Sequence, residues 1–458
     1  MTIGPPTGMR DWLPQDALLR QRLMESIGAV YRLYGYLPID TPVMEDLAVL
    51  LGKGGGENEK LLFKILKRGD KLTESKEAHG DLADYGLRFD LTVPLARFVA
   101  THQGKIPKVF RRYHIGPVWR ADRPQRGRFR EFYQCDIDVV GGASSAYEVE
   151  IITATERVLK ELNLGKYRFH LSDKRLLPLL LRGFGVPDER INPVTICLDK
   201  LDKTPNWLQI LDEVLNIVSA SRAVAKTVEN FLMDAVEARK KEKGMRANVE
   251  QFQHLWEKIP DREVRDKLDG VRDNLTAIIA AVRAINDNSA ITFDPILVRG
   301  MDYYTGPIYE AVVEGYPSAV LGGGRYDDLI GQLAGKKIPA VGCSIGFERI
   351  LAILQEHEAG RAVTALPQVL LVNDGQSMEL LHQQAEQLRD AGLCIETYLD
   401  HDDVGKQLKY AEAAGIIWAI KRFDAASALV TVRYLPERRD LTMPLSELHA
   451  RLSGKRSA

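Results

Sequence analysis

Between residues 111 and 130 the chain carries seven arginines, Arg111, Arg112, Arg120, Arg123, Arg126, Arg128 and Arg130, against a single acid, Asp122. A guanidinium is planar and permanently charged, and its N–H groups match the oxygens of phosphate. Such a cluster suits polyphosphate or nucleic acid, and the plainer alternative is a solvated basic hairpin. The sequel favours chemistry. In FREFYQCDIDVVG (129 to 141) the aromatic and β-branched content predicts a strand, and Phe132, Gln134 and Asp138 fall on one of its faces.

Other strings carry less. Gly342-Cys343-Ser344-Ile345-Gly346 satisfies the G-x-S-x-G pattern of a hydrolase nucleophile between a strand and a helix. Its residue types are common enough for the string to arise by chance, so no serine nucleophile is assigned. Glycine-rich GKGGGEN (52 to 58) and GGGR (322 to 325) lack the G-K-[ST] ending of a phosphate-cradling loop. The first reads as a mobile loop, the second as a tight turn or a place where backbone approaches a ligand closely. The four cysteines, Cys135, Cys197, Cys343 and Cys394, are widely spaced, which suggests neither a disulfide framework nor a zinc site, and no metal ligands are assigned.

The elements that must position these residues follow from periodicity. A helix is predicted from Pro14, with Leu19, Leu23, Ile27, Val30 and Tyr34 on one face. YGYLPIDTPVMEDL (34 to 47) reads as a short strand punctuated by prolines, and LRFDLTVPLARF and KVFRRYHIGPVWR as strands or strand-to-helix junctions. From about 175 to 290 the texture is helical, most clearly in Val264, Leu268, Val271, Leu275, Ile278, Val282 and Ile285. Strand-like text resumes at ITFDPILVRG, DYYTGPIYEAVVEG and KKIPAVGCSIG, ending in the helical FERILAILQEH. A linker, AGRAVTALPQ (359 to 368), precedes a compact alternation of strands and helices.

With 458 residues the chain is too long for one core, and its 45% hydrophobic and 27% charged residues are those of an ordinary globular protein. A net charge of -1 excludes a global polyelectrolyte partner, so any nucleic-acid contact must be local. No signal peptide and no bilayer-spanning apolar run is visible; a reducing cytoplasm and no membrane partner are expected.

The arginine at 120 with Ala121-Asp122, the Arg/Gly loop and FREFYQCDID together resemble motif 2 of class II aminoacyl-tRNA synthetases, in the version of the histidyl enzymes. AVGCSIGFERI (340 to 350) resembles motif 3, and YGYLPIDTP resembles motif 1, whose closing proline belongs to that family's dimer interface. LVRGMDYYTG (297 to 306) and LGGGRYDDLI (321 to 330) are similar to the two blocks that set the histidyl family apart, and with GMRDWLP at the start the likeness spans essentially the whole chain. His114-Ile115-Gly116 echoes a class I synthetase motif, but no lysine-rich partner loop follows.

The resemblance implies an α+β protein. Its catalytic domain, built on an antiparallel sheet, would occupy 1 to 175 and 289 to 358 around a helical insertion at 176 to 288, with an α/β anticodon-binding domain at 367 to 458. It implies ATP with Mg2+ on the outer phosphates, L-histidine, tRNA(His) and a homodimer. It places Arg120 on the α-phosphate, Asp122 near the adenine amino group, and Phe132 and Arg349 on opposite faces of the adenine. Arg299 would clamp the histidine carboxylate against that phosphate, so that Arg120 and Arg299 are the catalytic pair and both touch the amino acid. Asp90, Thr92 and Gln134 would surround the α-ammonium, and Asp138, Tyr303 and Tyr304 the imidazole, whose one donor and one acceptor need one partner of each kind. Gln125, in the motif 2 loop, would read the extra 5′ guanosine of the tRNA. KRFDAASALVTVRYLPERRDL departs from the family's usual text, so no anticodon contacts are assigned there. The rival is the family's regulatory paralogue, a histidine-binding subunit of ATP phosphoribosyltransferase that generally lacks the C-terminal domain and the full arginine set.

Overall fold

A computed structural model describes residues 3–52, 57–77, 81–124, 128–201, 206–218, 221–241, 249–298, 303–316, 318–358 and 368–452. The chain divides into two units, Met1–Leu354 and Gln355–Ala458. Strands of the first are β1 (Leu37–Pro38), β2 (Met44–Asp46), β3 (Lys64–Leu66), β4 (Ala83–Leu87), β5 (Phe110–Trp119), β6 (Glu131–Val140), β7 (Tyr167–Asp173), β8 (Ile291–Phe293), β9 (Pro307–Val313), β10 (Leu321–Arg325) and β11 (Ala340–Gly346). They form an eight-stranded sheet in the order β1, β5, β6, β11, β10, β9, β7, β8 and a three-stranded sheet, β2, β4, β3. From β5 across to β7 all neighbours in the large sheet are antiparallel. The short edge strands β1 and β8 pair in parallel, and each needs a long crossover to do so.

Alternation gives the large sheet two unlike faces. Cys135, Ile137 and Val139 of β6, with Val341, Cys343 and Ile345 of β11, pack against helices Pro14–Leu33 and Ala146–Glu161 as the main core. Full burial of such side chains stabilises by roughly 1.5–3 kcal/mol each. On the other face a smaller cluster joins Leu95, Ala96 and Val99 of helix Thr92–His102 to Tyr304, Ile308, Tyr326 and Ile330. The elements described between β7 and β8 are all helices. The longest helix, Arg262–Ile285, starts where the Asp261 carboxylate accepts from Glu263 N and Val264 N, and buries the expected stripe from Val264 to Val282; Ile285, its last residue, is exposed.

Two local expectations change. Residues 34 to 47 do not make one strand: β1 and β2 belong to different sheets, with Pro42 between them. GGGR is not a tight turn but the interior of β10. The glycine-rich 53–56 and the linker at 359–367 lie outside the described residues.

The second unit contains β12 (Val369–Leu371), β13 (Ile395–Thr397), β14 (Trp418–Asp424), β15 (Leu429–Tyr434) and β16 (Arg439–Pro444), in the order β13, β12, β14, β15, β16. Its first three positions are parallel and the rest antiparallel. Ser377 and Asp403 cap its two long helices, as their types suit them to do. Strand β16 and helix Leu445–Leu452 close the unit. Among the described residues no helix is long and apolar enough to cross a membrane.

Candidate active site

Register builds the site in rows. Across β5, β6 and β11, His114, Asp136 and Ser344 lie side by side, and Arg112, Asp138 and Gly342 form the next row. Gly324 of β10 continues that second row. Side chains are missing where the polar groups need space: a Cβ on Gly342 would sit 1.8 Å from Asp138 Oδ1, and one on Gly324 would sit 3.0 Å from the Tyr304 ring and 2.6 Å from Pro307 O. The central glycines therefore let backbone form the floor under Asp138 and Tyr304.

Over this floor the expected histidine-site residues converge. Asp90 ends the segment before helix Thr92–His102, where its Oδ1 accepts from Val93 N at 3.1 Å. Thr92 opens that helix and hydrogen-bonds the Tyr303 hydroxyl. The rings of Tyr303 and Tyr304 meet edge to face at 4.9 Å, and Tyr303 meets Tyr326 at 5.7 Å. Tyr326 donates its hydroxyl to Asp138 Oδ1, whose other oxygen lies 2.8 Å from Arg112 Nη2. Gln134 Nε2 donates to Ser344 Oγ at 3.1 Å.

Charge is concentrated and buried here. Arg88, Asp90, Arg112, His114, Asp136 and Asp138 are each at most 3% exposed. Burial pushes the Asp90 and Asp138 carboxyls up, the latter against the pull of Arg112 and Tyr326. Asp136 is pushed up to about 7 by burial, opposed by Arg112. His114 is pushed down to about 3, by burial first and then by Arg112 and Arg88, although its Nε2 lies 3.1 Å from Asp40 Oδ1. Asp90 Oδ2, Arg112 Nε and Nη1, His114 Nδ1, Gln134 Oε1 and Asp136 Oδ1 are buried without a hydrogen-bond partner. Native interiors seldom leave such groups unpaired, which makes their convergence the candidate site of this unit.

Comparison with known proteins gives this geometry a family. The family described as histidyl-tRNA synthetase matches residues 8–350. The chain belongs to that family. A histidine--tRNA ligase of Leifsonia xyli is 41% identical over 363 residues, 78% of this chain and 81% of the relative. One from Treponema denticola is 33% identical over 462 residues, 96% and 95% of the two chains. The crystal structure of histidyl-tRNA synthetase from Nostoc sp. PCC 7120 superposes with a TM-score of 0.81 at 25% identity, covering 98% of this chain and 100% of that one.

The described arginines between 111 and 130 do not share one environment. Arg111 pairs with Glu150 at 2.8 Å and Arg112 is fully buried on Asp138, so neither faces phosphate as the cluster suggested. Their acids lie far away in sequence or on the neighbouring strand, invisible to a local charge count. Arg130 donates to the Asp122 carbonyl at 3.1 Å, and Arg128 lies 3.8 Å from the Asp122 carboxylate. Arg120 is placed differently. Its Nε donates to Phe89 O at 3.0 Å and its guanidinium lies 5.1 Å from the Phe132 ring, which fixes its plane beside Asp90. Arg349 opens toward the Ala319 carbonyl. Arg299, Gln125 and Arg126 lie outside the described residues. Four polar groups of the floor were missed in sequence: Asp136, Ser344, His114 and Tyr326. Asp136 shares the parity of Gln134 and Asp138, and Tyr326 stands beside the glycines of LGGGRYDDLI, so both were open to view.

Proposed function

We propose that the protein activates L-histidine with ATP and transfers it to tRNA(His). Membership of the family implies use of ATP, and the row of unsatisfied buried groups on β6 supports an amino-acid site on this face. In the first step an oxygen of the histidine carboxylate attacks the α-phosphorus, the bond to the bridging oxygen breaks, and pyrophosphate leaves. In the second, the terminal ribose hydroxyl of the tRNA attacks the histidyl carbonyl, gives up its proton, and AMP departs.

Arg120 and Arg299 are assigned to the charge that develops on the phosphate and carboxylate, a task for fixed cations. Asp90, Thr92 and Gln134 take the α-ammonium, for which the free Asp90 Oδ2 and Gln134 Oε1 are acceptors. Asp138 accepts from the imidazole N–H and Tyr303 and Tyr304 supply the phenol side. Tyr326 and Arg112 already touch the two oxygens of Asp138, but each oxygen keeps a second lone pair. Such a site discriminates against ligands that leave its groups unpaired by roughly 10⁴ to 10⁵. Phe132 and Arg349 stack on the adenine and Asp122 takes its amino group. Mg2+ is assigned to the nucleotide's outer phosphates, where it would offset their charge. Gln125 is assigned to the extra 5′ guanosine. A cytoplasmic homodimer is part of this reading: Leu37, Val43, Met44, Leu66 and Tyr85, around motif 1 and the three-stranded sheet, leave an apolar surface exposed.

Pyrophosphate exchange with ATP and each amino acid in turn, followed by charging of tRNA(His) with and without its extra guanosine, tests the reading. Exchange with histidine alone, and charging that needs the guanosine, is expected. Histidine binding without exchange would instead identify the regulatory paralogue.

A further inference from the structure

The β6 and β11 ladder ends at the pair Gln134 and Gly346. Phe132 and Arg349, the two groups assigned to the adenine, stand beyond that pair, where no backbone bond joins their segments. A cluster built by the start of the chain spans the gap. Glu348, beside Arg349 and with a side chain only 8% exposed, receives ion pairs from Arg10 and from Arg20, the latter at 3.1 Å. Its Oε1 also accepts from Tyr133 N at 3.4 Å, next to Phe132. The Arg10 guanidinium lies 3.8 Å from the centroids of both Trp12 and Phe129. Arg20 lies 3.9 Å from Trp12 and 5.1 Å from Phe347. Upstream, Gly8 O accepts from Arg130 N at 2.8 Å, and Thr7 O from Arg130 Nη1 at 3.4 Å. Gly8 has φ of +85°, and a Cβ there would meet Pro124 at 2.8 Å and Arg130 at 2.9 Å. Residues 7 to 12 thus form a strap touching both the base of the motif 2 hairpin and the start of helix Phe347–Glu358.

We propose that Arg10 is a positioning residue for ATP: by holding Glu348 while stacking on Phe129, it fixes the separation of Phe132 and Arg349 and so the width of the adenine slot. A slot for a planar base loses much of its attraction when it widens by half an ångström or so, because dispersion falls steeply with distance. A flat guanidinium carries both the ion pair and the two stacks, which an ammonium cannot do. The proposal rests on the adenylation reading above and concerns one substrate of it.

The experiment is pyrophosphate exchange with purified wild type, Arg10→Ala and Arg10→Lys, joined to equilibrium dialysis of ATP with each protein. For Arg10→Ala the KM for ATP is expected to rise on the order of tenfold, with the dialysis Kd following it, while the KM for histidine moves by less than about twofold. Arg10→Lys, which keeps the charge and loses the stacks, falls between. Equal rises in both KM values, or a lower yield of active protein with both KM values unchanged, would overturn the proposal. Wild type that binds ATP but exchanges with no amino acid would sink the adenylation reading alone, and dialysis would still decide the role of Arg10.

Discussion

Both faces of the large sheet are buried at its centre, and they differ in what burial leaves undone. On β6, Cys135, Ile137 and Val139 are 0% exposed and belong to the main core. Asp136 and Asp138, one residue out of step, are 3% exposed and share their face with atoms that lack partners. A buried polar group left unpaired costs about 1–3 kcal/mol, more if charged. Burial alone therefore does not separate core from site in this molecule. On β6 hydrogen-bond satisfaction does: Gln134 and Asp136 present buried oxygens without partners, an unfinished face, whereas Ile137 and Val139 on the other have no polar group to satisfy, a finished one.

The largest expected effect comes from adding one carbon to the unfinished face. Gly342→Ala places a methyl where Asp138 Oδ1 now lies, 1.8 Å away, so the carboxylate must leave its position between Tyr326 and Arg112. Histidine-dependent exchange should fall by about 100-fold or more, measured per folded molecule. Near-normal activity would mean that Asp138 is not held where imidazole recognition needs it. On the finished face the consequence is of another kind. Ile137→Ala should cost about 2–5 kcal/mol in urea denaturation through the cavity it leaves, with exchange per active site close to wild type. Loss of activity out of proportion to stability there would erase the distinction between the faces.

Periodicity carried the elements well, because strand and helix text records which side of each segment is apolar: FREFYQCDIDVVG became β6, and the stripe from Val264 to Val282 was buried as a helix face. It carried the site only where chemistry and parity coincided, as at Gln134 and Asp138. Partners brought in by pairing were out of reach. Nothing near Arg112 says that Asp138 will lie opposite it on the next strand, and nothing near Arg111 points to Glu150. Counting charge along the chain therefore grouped both arginines with a basic cluster open to phosphate or to solvent, when each is held by an acid brought in by the fold. Of the two readings open for the glycines of β10, the tight turn fails for the same reason, since their need for space comes from Tyr304 and from the neighbouring backbone of Pro307 and Gly342.

The smallest expected effect is a slope, because two titrations on the unfinished face oppose each other. Folded Asp136 holds its proton to about 7, whereas an unfolded aspartate releases it near 4, so unfolding sheds a proton between these values and this group's contribution to stability falls as pH rises from about 4 to about 7. Folded His114 stays neutral down to about 3, whereas an unfolded histidine takes up a proton near 6.5, so its contribution falls as pH drops from about 6.5 to about 3. From about pH 4 to 6.5 the two nearly cancel, each worth at most about 1.4 kcal/mol per pH unit. Asp136→Asn removes the first and leaves the second, so the variant should gain stability more steeply than wild type as pH is raised through that window. Urea midpoints at several pH values for both proteins measure the difference. Parallel curves would mean that Asp136 is already ionised beside Arg112, and that the unfinished face holds its charge without waiting for a ligand.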